Sequence, residues 1–278
     1  MESGNRHDSP PPPPAVVTPQ YVAPTLVPDP AAGLWTLRNL LLFLAFGVIA
    51  LFSSNLLVVA GYALLKPWTG WHLSDRALGE NAFFLLVLQS IFYLFIFLYL
   101  YLLVAINYRQ PFWRALAWRR ATLRQMLACL AGGVVLAGIV LSAPTLLPEA
   151  PQFPLERLFS SPAAGYAVGG FAILVAPLME ELIFRGLLFG IFEHRVGLRF
   201  AVLVTAVLFA GLHVPEYWGA WNHALMILVV GLTFSLARGI TGSLAPSVIL
   251  HIAYNSSMMA GLYFSTNRFH NLPALMVR

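Results

Sequence analysis

The chain has 278 residues, of which 59% are hydrophobic and 10% charged, with a formal net charge of +5. A soluble globular domain carries about 25% charged residues, and so few charges cannot cover a water-facing surface; the composition points to a chain whose solvent is the bilayer. The single cysteine, Cys129, excludes an intramolecular disulfide and a thiolate cluster.

Residues 1–33 differ from the rest. They contain Pro10–Pro14 and further prolines at 19, 24, 28 and 30, which remove backbone donors and fix φ, so an extended or disordered tail is expected. The basic start and short apolar core of a signal peptide are not seen there. A spanning helix needs about 20 apolar residues. Seven segments are candidates, at roughly 37–65, 82–107, 125–147, 164–192, 200–213, 224–237 and 243–264. The fifth and sixth are short; they are either lengthened through 214–223 or are half-helices packed within the protein. No internal repeat is visible.

The loop between the second and third segments holds Arg109, Arg114, Arg119, Arg120 and Arg124. Basic loops stay on the cytoplasmic side, so this loop and the N-terminus are expected inside. Arg195, Arg199 and Arg238 then also fall inside. The loop at 148–162, with Glu149, Glu156 and Arg157, falls outside, and with seven spans so does the C-terminus. The basic balance is thus assigned to topology rather than to nucleic-acid binding.

The fourth segment contains Glu180, Glu181 and Arg185. One Asp, Lys or Arg at a helix centre costs about 2.5–3.5 kcal/mol, so three ionisable groups within six residues need a reason. Glu181 and Arg185 are four apart on one face, acid before base, and can pair. Glu180 points about 100° away and lacks that partner, which leaves it as a candidate general base. An ion pair that only ties helices together would account for Glu181 and Arg185 but not for Glu180. The fifth segment ends on Phe209 and His213, and the seventh carries His251 and Asn255, again four apart. In isolation such polar residues also serve as interhelical hydrogen-bond links. At 1.5 Å per residue, Glu180 lies about 18 Å in from the cytoplasmic face, His213 about 20 Å, His251 about 12 Å and Asn255 about 18 Å. Independent links would have no reason to meet in one layer.

The ordered set Glu180-Glu181-x-x-x-Arg185, Phe209-x-x-x-His213 and His251-x-x-x-Asn255 resembles the motifs of the CPBP intramembrane proteases. These include the type II CAAX prenyl endopeptidases and bacterial bacteriocin-processing or immunity proteins. The resemblance covers about residues 164–264 and implies an all-α, polytopic membrane bundle of about seven helices, with its site in a cavity. It divides the chain into a Pro-rich cytoplasmic tail (1–33), N-terminal membrane helices (34–163), a catalytic membrane core (164–264) and a C-terminal tail (265–278).

The same resemblance implies an endopeptidase acting on a membrane protein or a lipidated peptide, in the bacterial inner membrane. Glu180 would activate a water, His213 would orient it, and His251 and Asn255 would hydrogen-bond the oxyanion. Glu181 and Arg185 would brace the site, or Arg185 would meet a substrate carboxylate; Phe209 would pack. No cofactor is favoured. The zinc alternative would use Glu180, His213 and His251, but no His-Glu-x-x-His pair is present and Asn255 is a poor zinc ligand. A non-catalytic immunity or scaffold protein remains an alternative. A proton relay or transporter should show a repeat or paired broken helices.

Other polar residues are read as structural. Glu216, His223, Trp218 and Trp221 belong to the outer interface, His194 to a loop, and Gly239 and Gly242 to the turn before the last segment. The orientation is testable: cysteines placed in the loop 109–124 should react in intact cells only with a membrane-permeant reagent. Labelling by an impermeant one would reverse the topology.

Overall fold

A computed structural model describes residues 34–70, 73–142, 158–217 and 221–271. The proline-rich tail, Glu149, Glu156, Arg157, Trp218 and the side chain of Glu216 lie outside the described residues. Among those described, every regular element is a helix.

Helix α1 (Leu37–Thr69) starts at Thr36, whose hydroxyl accepts from Asn39 N at 3.2 Å, and stops at Gly70, in the left-handed conformation (φ 67°). After the short α2 (Asp75–Gly79), Asn81 caps α3 (Ala82–Tyr101), which runs on as a π-helical stretch, Leu102–Asn107. The basic loop holds α4 (Phe112–Ala115) and leads into α5 (Leu123–Ser142). One apolar run, Pro162–Val196, contains α6 (Pro162–Leu174), α7 (Ala176–Glu181), a second π-helical stretch at Leu182–Leu188, and α8 (Phe189–Val196). Ser161 caps this run, with Pro162 in the first turn where its missing N–H costs nothing. Then follow α9 (Leu198–His213), a 3-10 turn at Val214–Tyr217, α10 (Trp221–Thr241) and α11 (Leu244–Ser265).

All seven apolar segments are helical, but among the described residues five helices are both long and apolar enough to cross a membrane: Leu37–Thr69, Ala82–Asn107, Leu123–Ser142, Pro162–Val196 and Trp221–Thr241. The sixth segment is therefore longer than its apolar stretch suggested; α10 has 21 residues because Trp221, Asn222 and His223 already belong to it. Helix α9 stays short at 16 residues. Helix α11 has the length, 22 residues, but Ser247, His251, Asn255 and their neighbours dilute its hydropathy. Two loop assignments also change. His194 sits in α8, and Gly239 lies within α10, where an added Cβ would come within 3.2 Å of Leu198. Only Gly242 makes the turn, at φ 62°.

The outside is apolar: Phe52 and Leu56 on α1 are each 70% exposed, a surface suited to lipid rather than water. The inside is organised round α7, the π-helical stretch and α8, where Leu182, Leu187 and Phe189 are fully buried. A helix apolar on all sides belongs at the centre of the bundle. Neighbouring helices approach closely through small residues, as membrane helices do. On α5, a Cβ at Gly133 would lie 2.6 Å from the Leu250 carbonyl oxygen and 2.8 Å from Tyr254 N, both backbone atoms of α11.

Backbone cannot move aside as a side-chain tip can. Gly133→Ala should therefore destabilise by about 1–3 kcal/mol. Gly138→Ala, where nothing lies within 4 Å, should be neutral or mildly stabilising. Thermal unfolding of the two purified variants checks this; equal melting temperatures would contradict the crossing.

Candidate active site

Glu181 and Arg185 are both 0% exposed. Arg185 Nη1 donates to Glu181 Oε1 at 2.9 Å, Nη2 to the Gly231 carbonyl at 2.7 Å, and Nε to Ser235 Oγ at 3.3 Å. The guanidinium also lies over the Phe209 ring, 4.7 Å from its centroid. On the other side, Ser247 Oγ donates to Glu181 Oε2, and His251 Nδ1 lies 3.0 Å from Glu181 Oε1. A carboxylate only accepts, so Nδ1 carries the proton of this bond. Arg185 thus has no donor turned towards a substrate; of the two roles the resemblance implied for it, the geometry carries the bracing one.

One helical step away, Glu180 turns into a cavity of ≈ 410 Å³. His213, His251, Asn255 and Phe209 line the same cavity. Tyr93, on α3, donates its hydroxyl to Glu180 Oε1 at 3.1 Å, and His251 Nε2 stands 3.8 Å from Glu180 Oε2. His213 Nδ1 is 2.7 Å from the Phe209 carbonyl, so Nδ1 is the donor and Nε2 is its second ring nitrogen. Asn255 Nδ2 donates to the Ala172 carbonyl at 2.7 Å. This contact lies just before Pro177, which interrupts the helix between α6 and α7. The walls are apolar, with Leu85, Leu86, Phe171, Met258 and Met259.

Glu180, His213 and His251 share the cavity, yet among the described residues no three His, Cys, Asp or Glu side chains are grouped so as to hold a metal ion. Each histidine does have an acceptor behind its Nδ1, the Phe209 carbonyl and Glu181, an arrangement the sequence did not show. Tyr93 was not legible as a site residue, being one aromatic among many on α3. Ser247 could have been found, because it lies four residues before His251 and extends the 251/255 stripe. Ser235 and Thr205, whose hydroxyls are 3.0 Å apart behind Arg185, carry no pattern.

Residues 162–257 match the family model described as type II CAAX prenyl endopeptidase Rce1-like. The chain is also 28% identical over 83 residues to a Bacillus subtilis (strain 168) protein named "Putative membrane peptidase YdiL". The chain contains a CPBP-family segment. The match to the Bacillus protein covers 30% of this chain and 32% of that protein, about a third of each. No solved structure matches the chain. The CPBP segment begins at Pro162, the first residue of α6, and ends just beyond Asn255, so it contains Glu180, His213, His251 and Asn255.

Removing one partner of a fully buried pair strands the other charge. Arg185→Ala should cost on the order of 3–5 kcal/mol, seen as lower accumulation and a lower melting temperature. Normal yield and melting would mean that Glu181 is held without Arg185.

Proposed function

We propose that this chain is an intramembrane endopeptidase in which Glu180 activates the attacking water. The observation that supports it best is the placement of Glu180, His213, His251 and Asn255 around one apolar-walled cavity. Tyr93 occupies Glu180 Oε1 and leaves Oε2 for the water. Oε2 takes a proton as the water oxygen bonds to the peptide carbonyl carbon. His213, its Nδ1–H held on Phe209, accepts the second water hydrogen at Nε2 and so fixes the direction of attack.

The negative charge on the former carbonyl oxygen needs donors. Asn255 Nδ2 has two hydrogens; one stays on Ala172 and the other meets the oxyanion. His251 adds a donor at Nε2 in its protonated form, with Nδ1–H kept on Glu181. The C–N bond then breaks, and the proton held by Glu180 passes to the leaving nitrogen. The substrate is a membrane protein or a lipidated peptide, in keeping with the apolar walls, and the setting is the bacterial inner membrane with the N-terminus in the cytoplasm. The site works without a tightly bound metal.

Glu180→Gln keeps the shape but cannot accept the proton, so cleavage should fall by a factor of about 10² or more. Asn255→Ala should lose about 10²–10³, as for one oxyanion donor. Tyr93→Phe removes a hydrogen bond to a carboxylate, worth about 1.5–3 kcal/mol, and should slow turnover about tenfold or more with little change in melting. Substrates are found by comparing membrane proteomes of cells carrying the wild-type chain or Glu180→Gln; identical proteomes would leave a non-catalytic role. Metal content measured beside activity tests the rest. One zinc per chain, whose removal abolishes cleavage until it is restored, would reassign Glu180, His213 and His251 as ligands.

A further inference from the structure

A second cavity, of ≈ 1190 Å³, opens at the arginine-rich end of the bundle and shares no lining residue with the first. It is faced by Trp35, Arg114, Trp118, Arg119, Glu193 and Arg238. Three arginines thus meet one carboxylate among the described lining residues. Arg238 is 5% exposed and held on three sides: Nε donates to the Arg185 carbonyl at 3.3 Å, the guanidinium lies 4.8 Å over Phe189, and Nη2 is 3.6 Å from Glu193 Oε2. Arg119 is fixed through its backbone. Ser243 Oγ donates to its carbonyl at 3.0 Å, and its N–H points back at the same oxygen at 3.2 Å. Trp35 lies against Gly190, where a Cβ would come within 2.7 Å of the ring.

Cations preset in one cavity with a single counter-charge repel each other until an anion joins them. The depth indicates which anion. Trp35 precedes the first turn of α1, Arg238 lies in the last turn of α10, and Glu193 lies in α8 near the end of its span. These are ends of membrane-crossing segments, where headgroups sit and tryptophan is enriched. Arginine forks match phosphate oxygens in pairs, and basic pockets between membrane helices bind acidic headgroups. The volume exceeds the range of about 300–1,000 Å³ usual for small-molecule sites, so a headgroup with its glycerol fits. We infer that this cavity is a binding site for the phosphate of an anionic phospholipid headgroup, held by Arg114, Arg119 and Arg238. The inference does not depend on the protease reading.

The full chain, purified in a neutral detergent, is unfolded by heat with dihexanoyl phosphatidylglycerol, dihexanoyl phosphatidylcholine or inorganic phosphate at equal concentration. Near saturation the phosphatidylglycerol should raise the melting temperature by about 5 °C, and phosphatidylcholine should not. The double variant R114Q/R119Q should weaken binding about tenfold or more, as expected for two lost charge-assisted contacts. R120Q/R124Q removes the same charge from the same loop outside the cavity and should keep the full shift. If R114Q/R119Q does not fold, R114Q alone should lose part of the shift. A full shift with inorganic phosphate alone keeps the site and makes soluble phosphate its ligand. An equal shift with phosphatidylcholine, no shift with any of the three, or equal loss in both double variants overturns the inference.

Discussion

Glu181 and Arg185 lie four residues apart with no exposed surface, and a charge pair so placed persists only when its donors and acceptors are met. Three helices supply the partners. Gly231 and Ser235 come from α10, Ser247 and His251 from α11, and Thr205 of α9 supports Ser235 from behind. The pair therefore sets more than its own geometry. Any rotation of α10 or α11 about its axis would leave a buried charge short of a hydrogen bond, so the pair holds the register of the bundle.

Two consecutive glutamates divide the work because adjacent helical residues point about 100° apart. Holding Glu181 inward turns Glu180 outward from the same backbone, into the cavity. His251 links the two. Its Nδ1 rests on Glu181, and its Nε2 faces Glu180 across 3.8 Å. The buried acid thus aims the acid that faces the cavity and orients its neighbouring imidazole.

The sequence showed what repeats at helical spacing. Glu181 with Arg185, and His251 with Asn255, stood four apart in apolar runs, and their shared depth followed from the rise per residue. Contacts across the bundle left no such trace. Tyr93 reaches Glu180 from 87 positions away in the chain, and nothing distinguishes it locally from Tyr99 or Tyr101. The ends of α10 were hidden because polar Asn222 and His223 still form helix, and Gly239 read as a turn because its role, close packing on α9, depends on a partner not visible locally. The pairing of Asn255 with Ala172 likewise depends on the break at Pro177, which the motif spacing alone does not show.

The π-helical stretch Leu182–Leu188 holds more residues per turn than an α-helix, since its bonds run from i to i+5. Glu180 and Glu181 lie before it; Glu193, which contacts Arg238, lies after it. Removing a single residue from the stretch would let it relax to ordinary helix and turn everything beyond it by about 100°. Apolar exchanges within it keep the register, whereas a change of length by one does not. The two ends of this segment, one facing the acid cavity and the other the arginine cavity, are therefore tied by a residue count: in this stretch length is constrained more tightly than composition.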